Sequence, residues 1–167
     1  VQRRLKLYEV GLLQVRINEM VSESTAREMG ETLNYQNKFR VQSVKYFLDG
    51  ALGSRGAHFL EEYSDYPGFF GEPRSSETGM TDLAEELLKI GFNIRVHAIG
   101  DGANRIALNA FEKALKRTGI AGTDARFALE HCQMLTDADI PRLSQLGVIA
   151  SMQPLHATED MHFAEAR

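Results

Sequence analysis

Only one cysteine, Cys132, occurs among the 167 residues, so no internal disulfide can form. Such usage fits a reducing compartment, and a cytoplasmic location is expected. No apolar run comes near the ~20 residues that a membrane-spanning helix needs, and the opening VQRRLK leads into no hydrophobic segment of the secretory type. Neither sign of charge dominates: 19 basic and 23 acidic side chains are scattered, with no basic stripe suited to nucleic acid. A repeat of 20–50 residues is absent, which excludes a solenoid. The Gly-rich patterns of dinucleotide and P-loop sites are missing too, so nucleotide binding loses its usual support. The chain does not begin with Met, and both ends fall inside what read as structural units; an internal stretch of a longer protein is expected.

What is present is an ordinary globular composition, 43% apolar, in a chain long enough for one domain with a real core. Residues 12–17 (LLQVRI) read as a strand and 18–39 as largely helical. The second strand is 44–49, ending at Gly50. Residues 50–78 form a long irregular segment whose five aromatics, Phe59, Tyr63, Tyr66, Phe69 and Phe70, need a surface to pack on. Met80, Leu83, Ala84, Leu87 and Leu88 have the spacing of an amphipathic helix with Gly91 behind it. Strands at 94–99, 126–132 and 148–153 follow, separated by helical stretches at 103–118 and 136–146. Strand and helix alternate five times, which demands parallel strands with right-handed crossovers. The fold class is α/β, either an open doubly wound sheet or part of a (β/α)8 barrel.

Chemistry concentrates around IRVHAIGDGAN (94–104), a strand with a His near its end and a Gly-rich turn into a helix. Parallel-sheet proteins place ligands at the carboxyl ends of their strands. Alternation along a strand puts Lys45, Phe47 and Asp49 on one face, and Arg95, His97 and Ile99 on one face. It groups Phe127, Leu129 and His131 likewise, with Glu130 and Cys132 opposite. One Lys and two imidazoles then converge from neighbouring strands. Imidazole suits zinc and similar divalent ions. A Lys ammonium does not, but its carbamate with carbon dioxide presents carboxylate-like oxygens. Plainer readings compete: Lys45 paired with Asp49 or Asp101, and a strand-end hydrogen bond between His131 and Glu130. Cys132 reads as a small core residue.

Several segments in order resemble amidohydrolase family 3, the branch that includes N-substituted formamide deformylase-like enzymes. They are VKYFLDGALGSRGA (44–57), the Tyr-Pro-Gly loop through Gly71, VHAIGDGAN (96–104), ALEHCQML (128–135) with Asp139-Ile140, and GVIASMQPLHATED (147–160). The resemblance implies a metal-dependent hydrolase of non-peptide C–N bonds on a (β/α)8 barrel. Residues 1–167 would form part of a single catalytic domain, its five strands being barrel strands 3 to 7. It assigns Lys45, as a carboxylated lysine, with His97 and His131 to one or two divalent ions, zinc foremost. Arg55, Gln153 and His156 fall on the substrate side. The H-x-H pair after strand 1 and the Asp after strand 8 have no counterpart in these residues.

The expected partner is thus a small amide-type molecule, with negligible turnover and weak metal binding by this chain alone. A Schiff-base lyase using Lys45 and a non-catalytic domain remain as alternatives. Five strands cannot close a barrel, so open sheet edges and a homo-oligomer are expected, with Phe47, Val96 or its neighbours, and Leu129 wet on the inner face.

Overall fold

In the computed structural model, which describes residues 1–167, short β-branched runs alternate with amphipathic helices. Helix α1 (Gln2–Glu9) precedes β1 (Ile17–Val21), α2 (Glu23–Met29), β2 (Leu33–Tyr35) and β3 (Phe39–Phe47). Then come α3 (Glu77–Lys89), β4 (Asn93–Ala98), α4 (Asp101–Thr118), the single turn α5 (Gly122–Ala125) and β5 (Ala128–His131). The chain finishes with α6 (Ile140–Leu146), β6 (Ile149–Ser151) and two short helical turns, α7 (His156–Glu159) and α8 (Met161–Ala164). Five strands run parallel in the order β1-β3-β4-β5-β6, and β2 pairs antiparallel with the start of β3. The sheet is an open arc of the (β/α) barrel type, with β1 and β6 at its edges.

One face of this arc carries the core. The apolar stripe of α3 (Met80, Leu83, Ala84, Leu87, Leu88) and that of α4 (Ala103, Ala107, Phe111, Ala114) bury against Val44, Ile94, Val96, Ala98 and Leu129. Burial of each Leu, Val or Phe contributes roughly 1.5–3 kcal/mol. Local signals set the ends of these helices. The Ser76 hydroxyl accepts from Gly79 N–H at 3.1 Å to start α3, and Gly119 closes α4 in the left-handed conformation.

The first forty residues depart most from expectation. Residues 12–16 form no strand; Leu12 and Val15 are exposed, and pairing begins only at Ile17, opposite Phe39. The expected helix over 18–39 is real only in α2, because Gly30 caps it in the left-handed conformation. Beyond it a hairpin forms instead. Gln36 and Asn37 adopt positive φ, and the Asn34 side chain accepts from Asn37 N–H, folding Leu33–Tyr35 back on Phe39–Val41. The sheet therefore has six strands rather than five. The strands expected at 44–49, 126–132 and 148–153 are present but shorter at their C-terminal ends, and the first starts earlier, at Phe39.

The segment 50–76 contains no helix or regular strand, yet it is packed. Tyr63 is fully buried, its ring 4.9 Å from that of Phe59 and 5.9 Å from that of Phe69, beside Leu52, Ala57 and Ile99. It crosses the start of α4 so closely that a Cβ on Gly100 would lie 2.0 Å from the His58 carbonyl oxygen.

Candidate metal centre

The sheet face opposite α3 and α4 is where titratable side chains gather. Register pairs Lys45 with Arg95, Phe47 with His97, and His97 with Glu130, so these residues share that face. Phe47 is nearly half exposed, as expected for the inner face. Val96 and Leu129 are fully buried under the helices, so on β4 it is the neighbours Arg95 and His97 that face inward, and the expected inward Leu129 is corrected. On β5 it is Glu130, not Leu129, that faces inward. Strict alternation would then send His131, the partner of Ala98, into the helix layer. The backbone prevents this. His131 has φ 73° and Cys132 φ 46°, a left-handed pair that breaks the pleat at the strand end. The His131 ring arrives 4.5 Å from the His97 ring, centroid to centroid, at 70°. Non-glycine residues in this conformation cost about 1–3 kcal/mol each and persist where the surroundings enforce them. Cys132 is delivered into the core, where burial pushes its thiol up to about 11; it is a packing residue, as its type suggested.

Hydrogen bonds fix which nitrogen each imidazole presents. His97 Nε2 lies 3.3 Å from the Gly50 carbonyl oxygen and 3.4 Å from Asp49 Oδ1, both acceptors, so Nε2 carries the proton and Nδ1 the lone pair. Burial lowers its pKa to about 4 against the pull of the Gly50 carbonyl, with His131, Lys45 and Arg74 adding to the fall. His131 Nδ1–H donates to Gln153 Oε1 at 2.9 Å, leaving Nε2 as its lone-pair atom. The His156 ring stacks on His131 at 5.5 Å and 19°, and its Nδ1 is buried without a partner.

Lys45 Nζ is likewise buried and unpartnered, 4.4 Å above the Phe47 ring, which itself lies 5.3 Å from the His97 ring. Burial lowers the Lys45 pKa, opposed by the charges of Glu130 and Asp49. Neither ion pair entertained for it forms. Asp49 accepts backbone N–H groups from His58, Ile99 and Gly100, and Asp101 accepts from Leu60 N–H. Glu130 does not bond His131; it binds Arg95 at 2.7 Å and the Ser151 hydroxyl at 2.6 Å. Burial pushes its carboxyl up, but these partners outweigh it and hold the group below the usual range.

Beside the imidazoles opens a cleft of about 570 Å3, lined by His131, Gln153, His156 and the apolar side chains of Leu52, Met134 and Met152 among others. Arg55 is not part of it. Its guanidinium is held by Asp65 at 2.7 and 3.0 Å, in an exposed pair that fixes the loop. A hollow of about 640 Å3 between α1 and α2 contains no His, Cys or Lys.

Two residues of this region escaped the sequence reading. Asp49 was considered only as a partner for Lys45, yet it joins three backbone segments. Asn104 is fully buried and donates to the carbonyls of Ala98, Gly100 and Met134, tying the end of β4 to the segment after β5. The signal for both was polarity at a strand end or helix start inside an otherwise apolar stretch.

The sequence matches the model of the amidohydrolase family over residues 6–167. It is 38% identical over 117 residues to the protein LONG AFTER FAR-RED 3 of Arabidopsis thaliana, a match covering 70% of this chain and 20% of that protein. Against YtcJ of Bacillus subtilis strain 168 it is 32% identical over 118 residues, covering 71% and 21%. The fold superposes on an uncharacterized metal-dependent hydrolase from Pyrococcus horikoshii OT3 with a TM-score of 0.84 at 27% identity, covering 99% of this chain and 33% of that one. The chain thus spans about a fifth of these curated relatives and a third of that structure.

Proposed function

The chain belongs to the amidohydrolase family, and from that premise we propose that it carries strand-end ligands of a metal-dependent hydrolase acting on non-peptide C–N bonds, such as amides or formamides. The observation that carries this reading is the gathering, at the ends of three adjacent parallel strands, of the His97 and His131 rings, 4.5 Å apart, and of the unpartnered Lys45 amine, which lies over the Phe47 ring beside His97. No three His, Cys, Asp or Glu side chains gather at ligating distance. The donor set is two imidazoles and one amine, a fit to part of a metal shell, with the remaining ligands and the general base assigned to the further length that the relatives possess.

A divalent ion, zinc by the preference of imidazole sites, supplies when bound a water acidic enough to attack near neutral pH. The protein's own part is preparation. His97, with its pKa near 4, is neutral at pH 7 and free to ligate. Gln153 orients His131 through the opposite ring nitrogen, the usual way a partner outside the shell fixes a ligand. The lowered pKa of Lys45 favours its neutral amine, which adds to carbon dioxide: an N–C bond forms, a proton leaves to solvent, and a carboxylate-like ligand results. His156 and Gln153 face the cleft where an amide-type substrate would lie against Leu52 and the methionines.

One observation favours a second reading. A Lys45 amine that is unpartnered and whose pKa burial lowers also suits a Schiff-base lyase. Calorimetric titration with Zn2+, together with borohydride trapping, tests both. The metal reading expects weak binding abolished in His97→Gln and in His131→Gln, and no trapped adduct with carbonyl compounds. Binding unaltered in both variants, or a borohydride-fixed adduct on Lys45, overturns it.

A further inference from the structure

We propose that Asp49 is a positioning residue for His97: its carboxylate, fixed beside Nε2 where the Gly50 carbonyl accepts, favours a proton on that nitrogen and so holds the ring in the tautomer that offers Nδ1. The inference rests on the metal-ligand reading of His97 and goes beyond it, since nothing in that reading calls on Asp49.

The geometry is specific. Asp49 is the last residue before the turn at Gly50, and its side chain has no solvent exposure. Oδ2 accepts from His58 N–H at 3.1 Å and Gly100 N–H at 2.9 Å, and both oxygens reach Ile99 N–H, at 3.1 and 3.2 Å. Donors 9, 50 and 51 residues further along the chain leave this carboxylate little freedom to move. Its Oδ1 is thereby fixed 3.4 Å from His97 Nε2, beside the Gly50 oxygen at 3.3 Å. The Gly50 oxygen accepts the Nε2 proton, and the Asp49 carboxylate stands beside that proton as a fixed negative charge. Moving the proton to Nδ1 would leave the Nε2 lone pair facing both oxygens.

The same carboxylate ties the strap of residues 50–58 to the end of β4. Placement of His97 is therefore coupled to closure of that strap, and the ring cannot be reoriented without disturbing it.

The test is spectroscopic and needs no bound metal. Long-range proton–nitrogen correlation on the metal-free 167-residue chain reads the tautomer of His97 directly. The Nε2–H form is expected to dominate in the wild type. Asp49→Asn, whose amide can turn its NH2 toward the ring, is expected to raise the Nδ1–H fraction and to weaken Co2+ binding about tenfold or more. A dominant Nδ1–H form in the wild type overturns the inference, and this reading stands even if the variant does not fold. A folded Asp49→Asn with unchanged tautomer populations overturns it as well. Failure of the metal reading shows differently: Co2+ then leaves His97 untouched while the tautomer still follows Asp49.

Discussion

Glycine at position 131 would separate the two things His131 does. Its φ of 73° strains an L-residue, while its ring faces His97. His131→Gly should be more stable than His131→Ala by about 1 kcal/mol, with metal binding lost in both; denaturant midpoints and a Zn2+ titration check this, and equal midpoints would contradict the strain. His97 carries a pH dependence whose sign follows from its depressed pKa. The folded ring titrates near 4 rather than 6.5, so between those values the unfolded chain takes up a proton that the folded chain refuses. The stabilisation is fully present above pH 6.5 and is lost as the pH falls toward 4. Urea midpoints at pH 7 and pH 5 should therefore fall further in the wild type than in His97→Gln; parallel losses would count against it. Lys45, His97 and His131 were all named from residue type and strand position. His131 was expected to face inward along with Leu129; it does so without Leu129, because alternation gives β5 the opposite phase and the left-handed pair His131-Cys132, not legible in the sequence, reverses it at the strand end.

Elements with strong periodicity were the readable ones. Helices α3 and α4 and strands β4 and β5 appear in the sequence because apolar residues recur at 3.6 or cluster in short runs between glycines. Residues 12–17 have the same composition and form no strand over 12–16, for want of a partner until Ile17 meets Phe39. The hairpin of β2 and β3 was hidden because its turn uses Gln36 and Asn37 rather than a glycine. This contrast has a direct consequence. Leu129→Ala, under the helices, should cost about 2–5 kcal/mol, whereas Leu12→Ala, at an exposed site, should stay within about 0.5 kcal/mol. Thermal or urea unfolding of the pair measures both, and comparable losses would return residues 12–17 to the core.

At the scale of the molecule, β1 and β6 leave the arc open, each with a row of backbone groups facing no neighbour in the sheet. Exposed strand edges recruit other chains, so light scattering at micromolar concentration should give a mass above the monomer. Ala150→Lys, an exposed position on the edge strand β6, should lower it; a strictly monomeric wild type would argue otherwise. The central claim is that His97 and His131, rather than any other side chains, are the metal-binding imidazoles of this chain. The most direct measurement is paramagnetic line broadening of the five histidine rings during titration with Co2+. Loss of the His97 and His131 ring signals first, with His162 and His58 persisting to higher concentration, is the predicted result. Broadening that begins at His162 or His58, or that leaves His97 and His131 intact throughout, would contradict it.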